Sequence, residues 1–369
     1  MIAETIRERM AQTIKYVTPV PYGAATGLTA DVYQQMQADF LPVPPLTLHS
    51  PAPHILAGVW SILRETLDTG QVDRALKEAV AAAVSKTNTC PYCVDVHTSM
   101  LHATADHDAA DAILRGDYDR IHNQRLKALV QWVLTYHTPR ANGALPPPFA
   151  PGEAPEIIGT AIAFHYINRM VNVFLGEMFL PVPAALKGLT RRLFGATVGK
   201  RFVSRSVRPG DSLQFVPQAK LPDDLSWAAS NPAVAGAFAG FAEVVESAGE
   251  AVLPEPVRVL ATDYVQAWHG EAMGLSRRWV EDAVVEVKEE HRAAARLALL
   301  TALASYQVDA SVVEGFQSHC PDDAQLIAAT AWASFTAARH VGTWLQGPTP
   351  ETRAVQGRSA HAQPEHAIC

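Results

Sequence analysis

Cys90-Pro91-Tyr92-Cys93-Val94-Asp95-Val96-His97 joins a redox-type Cys-x-x-Cys to a histidine four residues further on. Ahead of it, the Ala-rich stretch Asp73 to Lys86 reads as a helix, and Thr87-Asn88-Thr89 reads as a short polar break. A second helix is expected to begin at Cys90. Pro91 suits its first position, because the missing N–H has no intrahelical partner there and φ is preset. Cys90 then sits near the N-cap and Cys93 in the first turn, where free N–H groups and the positive end of the macrodipole favour a thiolate. Cysteines so placed have pKa values below the ordinary value of roughly 8.5. The spacings of four and seven to His97 put all three side chains on one helical face. The stretch points to thiol chemistry.

Outward from this point, helical periodicity dominates the chain, with Ala, Leu, Glu and Arg abundant and few alternating runs, so the fold class expected is all-α. Helices are predicted over Ile2 to Tyr16, Ala30 to Asp39, Ala52 to Leu67, Asp73 to Lys86, Pro91 to Ala105, Ala109 to Arg115, Arg120 to Tyr136 and Glu156 to Phe179. The most apolar long stretch, Ile157 to Leu180, is interrupted by His165, Asn168, Arg169, Asn172 and Glu177, which a lipid-facing helix would not tolerate. It reads as a buried helix of a soluble protein, with no membrane partner. The first residues, Met1 to Arg9, carry charges where a signal peptide needs an apolar core. The net charge of −7 over 369 residues gives no reason to expect nucleic acid or an anionic membrane as partner. Four cysteines are too sparse for a disulfide scaffold, which fits a reducing cytoplasm.

The second half echoes the first. Ser50-Pro51-Ala52 and Asn231-Pro232-Ala233 both read as N-cap, proline and helix start, 181 positions apart. Leu129 to Tyr136 resembles Leu299 to Tyr306, and the helix of Arg169 resembles that of Arg339, at an offset of 170. The expected organisation is a redox domain over 1–180, a basic linker over 181–230, a degenerate repeat over 231–346 and a disordered tail over 347–369. At the 181 offset Glu78 faces Val259, and Cys90, Cys93 and His97 face Glu271, Gly274 and Arg278, so one redox centre per chain is expected. Seven basic residues and no acid lie between Lys187 and Arg208, either as a solvated arm or as a surface for an acidic partner or neighbouring subunit.

Several chemistries compete for the cysteine pair. Attachment of c-type haem requires histidine directly after the second cysteine, where Val94 stands. A structural zinc site needs four ligands, and there is no second cysteine pair; His102 follows His97 by five residues and points about 140° away on a helix. Zinc and an inert buried pair stay open beside the favoured reading, a redox-active dithiol. Glu78 lies on the apolar face of the preceding helix, where a carboxylate is costly without a partner. It either turns towards His97 and raises the basicity of that ring, or pairs on the surface with Arg74 at i,i+4. His165, Asn168, Arg169 and Asn172 form one polar stripe: His165 or Arg169 positions a substrate if the stripe faces the dithiol, and otherwise the stripe serves a helix or subunit interface.

The spacing of Glu78, Cys90, Cys93 and His97 resembles the signature of the AhpD-like alkylhydroperoxidases in the carboxymuconolactone decarboxylase superfamily. His49 to Trp60 looks like the helix that opens the fold in that superfamily, and Tyr166-Ile167-Asn168-Arg169 resembles its closing helix. The resemblance implies an all-helical fold and homo-oligomers, here a dimer or trimer if the duplication supplies one inter-subunit contact within the chain. It also implies a hydroperoxide substrate, Cys93 as the peroxidatic thiolate, Cys90 as the resolving thiol, and Glu78 with His97 as proton relay. No cofactor or metal beyond the redox-active disulfide is implied, and a dithiol reductant protein or lipoyl-type carrier restores the thiols. Some members carry histidine directly before the second cysteine, where this chain has Tyr92, a candidate substrate-positioning residue. Decarboxylases of the superfamily generally lack the cysteine pair. A non-enzymatic redox sensor or scaffold is the alternative from another class.

Overall fold

The computed structural model describes residues 11–138, 146–176 and 207–346, and over these the chain is all-α. The first half holds α1 (Gly27–Asp39), α2 (Pro53–Leu63), α3 (Arg74–Thr87), α4 (Pro91–Ala103), α5 (His107–Arg115), α6 (Gln124–Tyr136) and α7 (Ala154–Phe174). The second holds α8 (Pro232–Val252), α9 (Glu255–Ala267), α10 (Arg278–Val284), α11 (Arg292–Ala304), α12 (Ala310–Gln317) and α13 (Asp323–Leu345). A single antiparallel bridge, Ile14 with Leu175, is the extended pairing among the described residues. None of the described helices is long and apolar enough to cross a membrane.

α3 is the central helix of the first half. Asp73 caps it by accepting from the Ala75 N–H at 2.9 Å, and every residue from Ala75 to Ser85 is buried. Its small side chains let α4, α6 and α7 all pack against it. An alanine run buries less apolar area per residue than leucine would, but it allows the close approach that a helix surrounded on several sides requires.

The two halves meet through corresponding helices: α2 against α8, and α7 against α13. Each contact carries a glycine that admits a bulky neighbour. A Cβ on Gly58 would lie 2.5 Å from Phe241 Cδ2, and one on Gly342 would lie 2.6 Å from Ile162 Cδ1. Within each half the same pairings recur, α3 with α6 and α7, then α9 with α11 and α13. The helix order of the second half thus follows that of the first.

Some predicted boundaries move. The helix predicted over Ile2 to Tyr16 lies partly outside the described residues, and from Gln12 to Tyr16 the chain is turn, bridge and bend, with Tyr16 at φ 68°. α2 starts at Pro53, not at Pro51: Ala52 is the N-cap, and the Ser50 hydroxyl instead accepts from the Val20 N–H. In the second half Asn231 does cap its helix, accepting from Ala233 and Val234, and Pro232 is the first helical residue. α2 runs on as a π-helical turn over Arg64–Asp68, which packs its charged residues inward. α4 stops at Ala103 because Ala105 turns left-handed at φ 69°.

Most of the basic run and all of the 347–369 tail lie outside the described residues. From residue 208 to 212 the chain is folded onto the first half, and further on Asp224 pairs with Arg339 of the second. Glu65 accepts from the Gly210 N–H at 2.8 Å and the Ser212 hydroxyl at 2.6 Å, while the Arg208 carbonyl accepts from Arg64.

Candidate active site

The junction between α3 and α4 positions the two sulfurs. α3 ends at Thr87 with Asn88 as its C-cap, and Thr89 takes the left-handed conformation at φ 52°. The Thr89 N–H donates to the Lys86 carbonyl at 3.3 Å and the Cys90 N–H to the Ser85 carbonyl at 2.9 Å. This pair of bonds is a Schellman closure, at whose left-handed position glycine is usual. A β-branched residue there is strained, and such strain persists only where the surroundings over-determine it. Cys90 therefore has two backbone duties. It closes α3 and is the N-cap of α4, with Pro91 at the first helical position.

Cys93 follows in the first turn of α4, and its Sγ lies 2.6 Å from the Sγ of Cys90. Both thiols are free and buried. Burial pushes the Cys93 thiol well above its usual range, and the hydrogen bond and charge of Cys90 push it further; the Asn168 side chain acts the other way. Burial thus opposes the thiolate that the helix start favours. The end of a helix stabilises a charge by about 0.3–1 kcal/mol near a surface, whereas removing a thiolate from water costs more. Tyr92 packs beside the pair, and its phenol is pushed up by burial and then by the charges of Cys93 and Cys90, so it stays neutral.

One turn further on, His97 Nδ1 lies 2.6 Å from Glu78 Oε2, while Glu78 Oε1 accepts from Arg74 Nε, also at 2.6 Å. The two partners foreseen for Glu78 as alternatives are both present, one on each carboxylate oxygen. The carboxylate is fully buried rather than on the surface. Burial opposes its ionisation, but the Arg74 charge and then His97 outweigh that, holding the carboxyl below its usual range. Arg74 also bonds the Asp68 carboxylate and the Leu67 carbonyl. The His97 ring stands edge-on to Phe164 with centroids 4.5 Å apart, and its side chain is 13 % exposed. Among the described residues no hydrogen bond joins His97 to either sulfur; it lies one turn from Cys93 on the same face of α4.

The polar stripe of α7 turns towards the junction at one end and the second half at the other. Asn88 Nδ2 donates to Asn168 Oδ1 at 3.0 Å and lies 3.1 Å from His165 Nδ1. Asn168 Nδ2 donates to Ser85 Oγ at 3.1 Å. Burial, then the Arg169 charge, holds His165 well below the usual imidazole range, so its ring is neutral. Arg169 points away from the thiols. Its Nε donates to the Ala302 carbonyl at 2.8 Å, its Nη1 to the His165 carbonyl at 2.6 Å, and burial pulls it down to about 10. Asn172 spans the Asn88 carbonyl and Ser305 Oγ, both at 3.1 Å.

Sequence reasoning passed over Asn88, Thr89, Ser85 and Phe164. Asn88 and Thr89 were visible as a polar break, but nothing in residue type marks a left-handed threonine. His102, expected to point away from His97, meets His107 instead, with Nδ1 atoms 2.9 Å apart. No group of three or more His, Cys, Asp or Glu among the described residues is arranged to hold a metal ion.

An all-α fold with paired thiols at a helix start and a carboxylate–histidine pair one turn along defines the class. Residues 53–135, from the start of α2 almost to the end of α6, match the carboxymuconolactone decarboxylase family. The chain is 41% identical over 333 residues to an alkyl hydroperoxide reductase of Mycobacterium tuberculosis, covering 90% of this chain and 95% of that protein. The chain belongs to the carboxymuconolactone decarboxylase superfamily, in its AhpD-like alkylhydroperoxidase group.

Proposed function

We propose that this protein is a thiol peroxidase that reduces a hydroperoxide at Cys93 and resolves it with Cys90. The observation that carries the reading is the pair of free thiols 2.6 Å apart, with the Glu78–His97 bond one turn away on the face of Cys93. The relative's name, alkyl hydroperoxide reductase, supports the same chemistry.

His97, its Nδ1 held by an ionised Glu78, takes the Cys93 proton through a water or the substrate's own hydroperoxide group, which spans the interval the side chains leave. The thiolate attacks the terminal peroxide oxygen; the O–O bond breaks, its electron pair leaves on the alkoxide, and His97 returns the proton to give an alcohol. Cys93 becomes a sulfenic acid. The Cys90 thiol, as thiolate, displaces hydroxide from it, water leaves once a proton is added, and the disulfide forms. An S–S bond is about 2.05 Å long, so the sulfurs close only a short distance. A dithiol carrier, a protein dithiol or lipoyl group, then reduces the disulfide by exchange and is itself oxidised. A cytoplasmic homo-oligomer, dimer or trimer, is the setting in which we place this cycle.

The test is consumption of an organic hydroperoxide by purified protein with dihydrolipoamide in excess. Many turnovers per chain are expected, lost in Cys93→Ser. A second reading, a redox sensor that oxidises once and does not turn over, draws on the raised Cys93 pKa and its burial. It predicts one equivalent of peroxide consumed per chain and no more under excess dithiol.

A further inference from the structure

The carboxylate that bonds His97 is itself held, and the residue that holds it lies outside the Glu, Cys, Cys, His set. Arg74 is the first residue of α3. A cation there meets the positive end of the helix dipole, so the helix gains nothing from it. At the same place on α9 stands Glu255, an acid of the kind that position favours. Arg74 serves other partners instead. Its Nε donates to Glu78 Oε1 at 2.6 Å, and its Nη1 bonds the Asp68 carboxylate and, at 3.2 Å, the Leu67 carbonyl. Leu67 and Asp68 belong to the π-helical turn that follows α2, a departure from α geometry that is frequent at functional sites. In the second half the set is missing as a whole: Gly249, Glu255, Val259 and Arg278 stand at the places of Asp68, Arg74, Glu78 and His97.

These bonds fix which atoms carry protons. Arginine only donates, so Glu78 Oε1 must accept. A fully buried carboxyl on its own keeps its proton, but a guanidinium at 2.6 Å favours the carboxylate, which has no hydrogen to give at Oε2. The 2.6 Å contact between Oε2 and His97 Nδ1 is therefore an Nδ1–H donating, and the lone pair of the neutral ring lies on Nε2. Nε2 is then the nitrogen through which His97 takes a proton. Without Arg74, a protonated Glu78 would donate to Nδ1, placing the ring hydrogen on Nε2 and removing the base. We propose that Arg74, anchored by Leu67 and Asp68, is a positioning residue that acts through Glu78 to keep the His97 proton on Nδ1. As a part of catalysis this rests on the peroxidase reading, but the place of the proton is read without peroxide.

The experiment is solid-state 15N NMR of the reduced full-length chain with labelled histidines, at about pH 9, where imidazoles are ordinarily neutral. His97 is assigned by the loss of its signals in His97→Gln. The native chain is expected to show Nδ1 protonated and Nε2 bare. In Glu78→Gln, which keeps the shape of the side chain, Arg74 claims the amide oxygen; the NH2 then faces His97, and the ring proton is expected to move to Nε2. Adding Arg74→Met to Glu78→Gln frees the amide to turn its oxygen to the ring, and the proton is expected back on Nδ1. A native chain with Nε2 protonated, a Glu78→Gln chain that keeps Nδ1–H, or a double variant that keeps Nε2–H overturns the proposal. The expected proton shifts in a chain that turns over no hydroperoxide would leave the role of Arg74 standing and remove the peroxidase reading.

Discussion

The α3–α4 junction and its counterpart between α9 and α10 differ in one respect from which the rest follows. In the first half, two residues separate Thr87 from Cys90, and the Schellman closure turns the chain directly into α4. In the second, α9 ends at Ala267 and α10 begins at Arg278, so an irregular segment replaces the tight turn. Positions facing the cysteines serve that segment instead. The Glu271 carbonyl accepts from Trp268 Nε1, and the carbonyl of Gly274, itself at φ 70°, accepts from Tyr306 and Gln307. Glu78 is covered by α4 and wholly buried, whereas Val259 at the matching place on α9 is 53 % exposed. A tight junction both places two sulfurs at a helix start and lays that helix over the buried carboxylate. With the junction opened, neither occurs.

Substitutions that copy the second half into the first should remove what the tight junction provides. Cys93→Ser removes the sulfur to which the proposed cycle assigns the attack, and peroxide turnover should fall by at least about a thousandfold with thermal stability nearly unchanged. Two glycines inserted after Asn88 should cost about a hundredfold in turnover, because misplacing a reacting group by about 1 Å has that effect, while circular dichroism stays helical. Glu78→Val copies the second half at its most buried position. It leaves Arg74 with one carboxylate fewer and should destabilise the chain by about 3 kcal/mol or more in urea unfolding.

Milder changes at the same junction have smaller effects. Because folding lowers the Glu78 pKa, its stabilisation is full above the ordinary value of 4.5 and is lost as pH falls through the folded value. Unfolding free energy should therefore drop on acidification below about pH 4.5 in the native chain, and less steeply in Glu78→Gln. The smallest effect is expected from Thr89→Gly, which relieves the left-handed conformation and should raise stability by about 1 kcal/mol if the junction keeps its shape.

Much of this site was legible in the residues. Pro91 marks the first helical position with little ambiguity, and the spacing of Cys90, Cys93 and His97 follows from the helical period alone. A buried Glu78 was legible from its apolar neighbours, but its two partners read as alternatives because a sequence does not show that Arg74 and His97 approach opposite oxygens of one carboxylate. Less legible was the burial of Cys93, which depends on tertiary packing and not on its place in the helix. Nor could the left-handed Thr89 be foreseen: threonine is a poor choice for that conformation, and only the bonds to Lys86 and Ser85 reveal it. The aligned offset of 181 holds to the end of α9 and then fails, because loops lengthen without disturbing the helices they join.

The central claim concerns which sulfur is oxidised and which closes the bond. Treating reduced Cys90→Ser with one equivalent of organic hydroperoxide and trapping with dimedone should place the adduct on Cys93, while the native chain treated alike should show a Cys90–Cys93 disulfide and no adduct. A dimedone adduct on Cys320 or Cys369 with Cys93 unmodified, or a native chain that keeps both thiols free, would contradict the account.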